Sequence, residues 1–166
     1  NWLIYDINDK FLKKYAKNIK GVLYDFGCGT KPYESLFLQK SSRYIGVDWS
    51  QSSHSLKADV IADLNKPLPI DDAVADTIIS ISVMEHLYEP QVMLNEAYRI
   101  LKQNGKLIIQ VPFMWHIHEA PHDYYRYTKY GLDYMFRKAG FTNFKIEATS
   151  GFWTTWFIKL NYQLIR

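Results

Sequence analysis

Short apolar runs alternate along the chain with longer stretches in which apolar residues recur every three or four positions. The short runs are rich in branched and aromatic side chains, which favours strands, and the periodic stretches favour helices that bury one face. Near the beginning, Phe11, Leu12 and Tyr15 fall on one helical stripe, which Ala16 and Ile19 continue. The pattern predicts strands at residues 22–26, 43–48, 58–64, 75–82, 106–112 and 144–148, and helices at about 6–20, 32–39, 90–102, 128–139 and 151–166.

Strands that alternate with helices are typical of an α/β fold. The connections between parallel strands are then right-handed crossovers that place helices against the sheet. We therefore expect a doubly wound, mostly parallel, Rossmann-like sheet with helices on both faces. Ligands of such sheets bind beyond the carboxyl ends of the strands, so residues that end strands are the first candidates for a site.

A glycine turn follows the first predicted strand. Gly27 and Gly29 can adopt positive φ and lack Cβ atoms, so a ligand can lie against their backbone. Asp25 would repel a pyrophosphate placed on this turn and suits a ligand that carries a positive group. A dinucleotide site would need the pattern G-x-G-x-x-G, whose third glycine position is Pro32 here, and Lys31 lacks the frame of a phosphate-binding P-loop.

Acidic residues also end the next two predicted strands. Asp48 follows Gly29 at roughly the spacing expected for an acid that binds ribose hydroxyls, and Trp49 comes directly after it. Asp63 ends the third strand. Because parallel strands end at the same edge of a sheet, Asp25, Asp48 and Asp63 should face one crevice.

The run from Val22 to Gly29 resembles motif I of the class I S-adenosylmethionine-dependent methyltransferases, which reads hydrophobic-hydrophobic-Asp-x-Gly-x-Gly. Two later patterns are similar to the same family and follow in its order: Leu-Pro-x-Asp before Asp-x-Ile-Ile at residues 68–79, and Leu-Lys-x-x-Gly-Lys-Leu at residues 101–107. Lys31 stands where the family often has a further glycine, and the seventh, antiparallel strand of the family has no candidate. The resemblance covers residues 21–148 and implies a single methyltransferase domain over residues 1–166, with a truncated C-terminal part as one explanation for the missing strand.

The resemblance implies S-adenosylmethionine as the cofactor and assigns roles around it. Asp25, Gly27, Cys28 and Gly29 would surround the methionine end. Asp48 and Trp49 would hold the ribose and the adenine face, Asp63 and Leu64 the adenine edge, and the Ser82 carbonyl would lie near the amino group.

Four of the five histidines lie in two segments that follow the fourth and fifth predicted strands. Residues 113–126 are too polar and aromatic for a plain connector, and we interpret them as a lid that binds the methyl acceptor. If the acceptor is a hydroxyl, a base must take its proton. His122 is the first choice, with Asp123 to steer it, and His118 and His86 are the alternatives.

The same segments also contain a possible metal site. Glu85, His86, His118 and His122 form a possible ligand set if the loops converge. The set resembles that of metal-assisted small-RNA 3′-terminal methyltransferases, which use Glu-x-x-Glu-His and a later histidine, but Ser82 occupies the first glutamate position. The expectation is therefore that no metal is bound.

Composition limits the partners. The net charge of +3, without a dense run of lysine and arginine, does not favour nucleic acid. A single cysteine, no signal peptide and no apolar run of membrane-spanning length favour the cytoplasm. The aromatic segment 151–166 allows peripheral contact with a membrane surface.

Residues 118–128 also look like a bacterial subgroup of type 11 methyltransferases that is associated with surface-polysaccharide or lipid-linked sugar modification. The acceptor expected from this analogy is a small molecule or a sugar-type hydroxyl. Two alternatives stay open: a non-catalytic module that binds a nucleotide or S-adenosylmethionine, and a nicotinamide-dependent oxidoreductase, which Pro32 makes weaker.

Overall fold

The computed structural model describes residues 2–49 and 57–164, with side chains from residue 6 onward. Within these ranges the helices and strands alternate, as the pattern predicts. The strands are β1 (Val22–Phe26), β2 (Arg43–Asp48), β3 (Val60–Ile61), β4 (Ala75–Ile81) and β5 (Leu101–Gln110). The helices are α1 (Trp2–Tyr15), α2 (Glu34–Leu38), α3 (Pro90–Ile100), α4 (Lys129–Ala139) and α5 (Phe152–Leu164), with 3₁₀ turns at Ala16–Asn18 and Met84–His86.

The five strands form one parallel sheet in the order β3-β2-β1-β4-β5. Strand β1 is central, and its Asp25 lies opposite Gly46 of β2 and Ile79 of β4. Asp48, at the end of β2, pairs in turn with Ile61 of β3. The carboxyl ends of β1, β2 and β3 therefore meet at one edge, which confirms the predicted α/β architecture.

Both faces of the sheet carry a hydrophobic core. On one face, Phe26 and Ile78 pack with Met93 and Leu94 of α3. On the other face, side chains of α1 and α2 pack against β1, β2, β4 and β5; the buried residues there are Leu12, Ala16, Ile19, Leu23, Phe37, Tyr44, Ile79 and Ile108. The period-two alternation along β1 explains this division, because successive side chains point to opposite faces.

Two predicted boundaries differ from the structure. Helix α3 ends at Ile100, and β5 begins at once with Leu101, which lies opposite Ala75. The helix predicted to reach residue 102 is therefore shorter, and the strand predicted from residue 106 begins five residues earlier. Strand β3 is only two residues long, although the Asp59 and Ala62 amides extend the pairing by donating to carbonyl oxygens of β2.

The predicted sixth strand at residues 144–148 is wrong, since these residues pair with no strand in the described ranges. Together with residues of β5, they line a cavity of about 1420 Å³. Glu147 instead bonds to Lys14 and Tyr15 of α1. The described part of the chain contains no counterpart of the seventh strand either.

None of the helices in the described ranges is both long and apolar enough to cross a bilayer. Helix α5 nevertheless exposes several large apolar side chains: Phe152, Trp153, Trp156, Phe157, Leu160 and Leu164. The predicted helix at the end of the chain is thus present, and its aromatic side chains are largely exposed.

Candidate crevice and histidine loop

The glycine turn after β1 forms the centre of the candidate site. The Gly27 amide donates to the Val47 carbonyl oxygen at 2.8 Å, which ties the turn to β2. A Cβ on Gly27 would lie 2.3 Å from a methyl group of Val83, so this position has no room for a side chain. By contrast, Gly29 has a φ of +50° and no neighbouring atom within 4 Å of the place its Cβ would take. The turn is thus packed on one side and open at Gly29.

Lys31 adopts the backbone conformation that a glycine would favour, with a φ of +56°. Its side chain is held in place because Nζ lies 2.6 Å from the Asp59 carboxylate and 5.0 Å from the centre of the Tyr44 ring. Asp59 also accepts a hydrogen bond from the Gly46 amide at 2.7 Å. Position 31 of the turn therefore has a left-handed backbone conformation although the residue there is a lysine and not a glycine.

Asp48 fixes the open side of the turn. One carboxylate oxygen accepts from the Gly29 amide at 2.7 Å, and the other accepts from the Trp49 amide at 2.8 Å. Each carboxylate oxygen has a second lone pair, so Asp48 can still accept hydrogen bonds from a ligand. The spacing of Gly29 and Asp48 in the sequence is realised here as direct contact.

Asp25 is buried at the end of β1 and accepts a hydrogen bond from the Tyr44 hydroxyl at 2.7 Å. Burial raises the pKa of its carboxyl to about 7, and the nearby Asp48 carboxylate adds to the increase. The Tyr44 hydrogen bond and the positive charge of Lys31 oppose it. A cationic group placed beside Asp25 would favour its ionised form.

Cys28 is buried, and burial raises the pKa of its thiol to about 12. The thiol is therefore protonated at neutral pH and is not a nucleophile. Its sulfur lies 2.6 Å from the point where a Cβ on Gly46 would be, which makes the contact between β2 and the turn very close.

The remaining predicted cofactor residues lie at the same edge of the sheet. Asp63 caps a turn by accepting from the Asn65 amide at 3.0 Å and from the Asn65 side chain at 2.9 Å, and Leu64 is buried. The backbone links this turn to the crevice, because the Ala62 amide donates to the Asp48 carbonyl oxygen. Ser82, with a φ of +54°, directly follows β4 and donates its amide to the Gln110 carbonyl oxygen at 2.9 Å.

Residues 113–126, which we call the histidine loop, are held against the turn that follows β4. The loop ends are joined, since the Tyr127 amide donates to the Pro112 carbonyl oxygen at 3.2 Å. The Tyr127 hydroxyl donates to the Met84 carbonyl oxygen at 2.7 Å, and the Tyr124 and Tyr125 amides both donate to that of Glu85. The loop is thus an ordered part of the site.

Arg126 organises the interior of the loop. Its guanidinium binds the Asp123 carboxylate through two nitrogens, at 2.6 and 2.7 Å, and donates to the Trp115 and His116 carbonyl oxygens. The Arg126 charge holds the pKa of Asp123 well below its usual range. Asp123 also accepts from the His118 amide at 2.9 Å. The contacts of the Asp123 carboxylate are thus with Arg126 and His118, whereas His122 Nδ1 lies near the Tyr124 hydroxyl, so the expected steering of His122 by Asp123 is not observed.

The role of Arg126 was missed by the sequence reasoning. Its three-residue spacing from Asp123 was the available signal, but a loop has no fixed periodicity that would turn this spacing into a contact.

The histidine loop reaches the crevice through His122. Its ring meets Trp49 edge-on, with 5.3 Å between the ring centroids, and its Nδ1 lies 3.4 Å from the Tyr124 hydroxyl. The His86 and His118 rings lie together, 4.8 Å apart between centroids, on the side of the loop that borders the large cavity. The structure thus divides the three histidines: His122 is beside Trp49, whereas His86 and His118 form a separate pair.

Comparison with known proteins places this geometry in context. The methyltransferase-domain family matches residues 24–109, slightly more than half of the chain. A probable S-adenosylmethionine-dependent methyltransferase of Mycolicibacterium smegmatis is 25% identical over 92 residues, which are 52% of this chain and 36% of that protein. An uncharacterized protein of Methanocaldococcus jannaschii is 31% identical over 110 residues, which are 66% of this chain and 48% of that protein. The chain thus spans between a third and a half of the length of these relatives.

Among solved structures, an S-adenosylmethionine-dependent methyltransferase from Mesorhizobium loti has a similar fold. The TM-score is 0.70 at 15% sequence identity, and the match covers 99% of this chain and 95% of that one. This likeness supports the fold. Three expectations from the sequence stay predictions: the single-domain extent, the cytoplasmic location and the lack of a nucleic-acid partner.

Proposed function

Since the chain belongs to the methyltransferase-domain family, we propose that it binds S-adenosylmethionine at the crevice beside the glycine turn and transfers its methyl group to an acceptor hydroxyl. The observation that carries this proposal is the open turn at Gly29, whose amide is held by the Asp48 carboxylate at 2.7 Å. The absence of a Cβ leaves space for a ligand, and Asp48 keeps free lone pairs for ribose hydroxyls.

The charges at the crevice also fit this cofactor. When bound, S-adenosylmethionine supplies a methyl group on a positively charged sulfur, next to an ammonium group. Asp25 is a buried carboxyl at the same edge of the sheet, and a nearby positive charge would stabilise its ionised form. Trp49 follows Asp48 directly and offers an aromatic face for the adenine, while Asp63, Leu64 and Ser82 keep their proposed roles around the cofactor.

His122 is our candidate for the base that takes the proton of the acceptor hydroxyl. Its ring contacts Trp49, so it lies on the crevice side of the histidine loop. The loop would position the acceptor and exclude water, which is the main contribution of a protein to a displacement at a cofactor-bound methyl group.

Titration calorimetry with S-adenosylhomocysteine tests the cofactor site. We expect Asp48→Ala to weaken binding at least tenfold, because hydrogen bonds to a charged group are worth roughly 1.5–3 kcal/mol. Asp76→Ala is the matched control. Asp76 also accepts from a backbone amide, that of Val22, and pairs with Lys102, but it does so at the opposite end of β1. No binding by the wild type, or equal losses in both variants, would refute the proposed site.

For the acceptor we propose a small molecule or a lipid-linked sugar. The His116 ring of the histidine loop stacks on Tyr162 of α5 at 4.1 Å, so the exposed aromatic residues of α5 adjoin the loop. A lipid-linked acceptor would bring the loop close to a membrane surface. We expect Trp153→Gln to reduce sedimentation with anionic vesicles, whereas Tyr130→Gln, at an exposed aromatic on α4, should not. Equal sedimentation of all three proteins would remove the membrane part of the proposal.

A further inference from the structure

Three potential metal ligands converge where the histidine loop meets the turn after β4. Glu85, His86 and His118 each offer one ligand atom, and these atoms lie within 4.8 Å of one another. Glu85 and His86 belong to the 3₁₀ turn, and His118 to the loop. The hydrogen bonds from the Tyr124 and Tyr125 amides to the Glu85 carbonyl oxygen hold the two segments together.

The surroundings of Glu85 are the first indication that this cluster binds a cation. Its side chain is 1% exposed, and its Oε2 atom has no hydrogen-bond partner among the described residues. A buried carboxylate oxygen without a partner is costly, and buried charges are normally paired or coordinate a metal. The nearest basic nitrogen of the cluster is His86 Nε2, which is 3.9 Å from Glu85 Oε1 and thus beyond hydrogen-bond distance.

The orientation of His86 also indicates a cation site. Its Nδ1 lies 2.6 Å from the His122 carbonyl oxygen, which can only accept, so Nδ1 carries the hydrogen. In the neutral ring, Nε2 then presents a lone pair to the Glu85 carboxylate and, also at 3.9 Å, to that of Glu119. Nε2 is therefore the ring nitrogen of His86 that can bind a cation. Histidines that bind metals are usually held by this kind of hydrogen bond from the other ring nitrogen.

His118 is held in a comparable way. Its Nδ1 lies 3.3 Å from the His116 carbonyl oxygen and 3.4 Å from the Asp123 carboxylate, which Arg126 fixes in turn. These contacts at Nδ1 orient the His118 ring.

We propose that Glu85, His86 and His118 bind a divalent transition-metal cation of the zinc type. One carboxylate and two imidazoles are a donor set that suits this class of cation. A tetrahedral zinc ion with bonds of about 2.1 Å spaces its ligands about 3.4 Å apart, so the side chains need to close by little more than an ångström. The proposal differs from the expectation from sequence that no metal is bound.

The cation would also have a place in the proposed reaction. Glu85, His86 and His118 all line the cavity of about 1420 Å³, so a three-ligand site would leave a coordination position on the cavity side. In this part, which rests on the proposed function, a hydroxyl of the acceptor would bind the cation there, and the cation would lower the pKa of this hydroxyl so that the base, His122, takes its proton more easily. Metal binding itself requires neither the cofactor nor the acceptor.

The test is calorimetric titration of Zn²⁺ into protein freed of metal by chelation, without cofactor. We expect one equivalent of Zn²⁺ to bind the wild type, and His86→Gln and His118→Gln to weaken binding at least tenfold. His116→Gln is the matched control in the same loop, since the His116 ring stacks on Tyr162 outside the cluster. It should bind Zn²⁺ as the wild type does, and far-ultraviolet circular dichroism should show that every variant is folded.

Absence of saturable binding by the wild type would overturn the proposal, as would wild-type affinity in His118→Gln or an equal loss in His116→Gln. Because this titration contains no S-adenosylhomocysteine, its failure leaves the cofactor proposal intact. A failed cofactor titration leaves the metal proposal intact in the same way.

Discussion

Replacing Asp25 with asparagine should change how the stability of the protein depends on pH. The carboxyl is buried, and burial together with Asp48 raises its pKa from 3.8 to about 7. A carboxyl whose pKa is higher in the folded than in the unfolded state keeps its proton longer when folded. The wild-type free energy of unfolding therefore loses stabilisation as the pH rises from about 4 to about 7. Asparagine cannot ionise, and its amide oxygen can still accept the Tyr44 hydrogen bond.

The size of the effect follows from the shift of roughly three units. At about 1.4 kcal/mol per unit, ionisation of buried Asp25 costs about 4 kcal/mol above pH 7 and about 1.5 kcal/mol at pH 5. The stability of Asp25→Asn relative to the wild type should therefore improve by about 2.5 kcal/mol between pH 5 and pH 8. The comparison between the two proteins cancels the contributions of the other titrating groups.

Urea unfolding followed by tryptophan fluorescence at pH 5, 6, 7 and 8 measures this difference. Asp71→Asn makes the same change of charge at an exposed position and should show no comparable pH-dependent gain. If the stability difference between Asp25→Asn and the wild type were constant from pH 5 to pH 8, Asp25 would not be protonated in the folded protein near neutrality, and the reasoning would be wrong.

The glycine turn and the histidine loop lead to further predictions. Gly46→Ala should destabilise the protein by about 1–3 kcal/mol, because its Cβ would lie 2.6 Å from the Cys28 sulfur and 2.7 Å from Lys31 Cε; an unchanged melting temperature would contradict this close contact. Gly29→Ala should cost only about 1–2 kcal/mol of stability for its left-handed φ, but it should weaken S-adenosylhomocysteine binding at least tenfold in calorimetry, since its Cβ projects into open space. Arg126→Lys should leave the melting temperature almost unchanged yet speed proteolysis within the loop; equal cleavage rates would show that the guanidinium contacts do not order it.

Local patterns predicted most of the fold, because burial and helix capping require particular residue types at neighbouring positions of the sequence. Thr128 begins the helix predicted at residues 128–139, and its hydroxyl caps α4 by accepting from the Gly131 amide at 3.1 Å. Gly140 follows the predicted end of this helix, and its φ is +105°. The failed strand at residues 144–148 has an apolar pattern too. That pattern reports which side chains are buried, but it cannot report whether another strand lies within hydrogen-bonding distance.

The same distinction applies to the candidate site, where some contacts could be predicted from the sequence and others could not. The contact between Gly29 and Asp48 was predictable, because parallel strands place their ends at one edge of the sheet. The partner of Asp123 was not, because the path of the histidine loop brings Arg126 and His118 to it rather than His122. The pairing of His86 with His118 depends on the same path, and His54 lies outside the described residues.

The burial of Cys28, the only cysteine of the chain, makes this residue a reporter of movement in the crevice. A buried thiol that stays protonated reacts with maleimides only when the surrounding backbone opens. The rate of alkylation therefore measures how often the turn opens. A molecule that binds across the turn would hold it shut, and slower labelling could therefore reveal such molecules in a screen that needs no knowledge of the reaction.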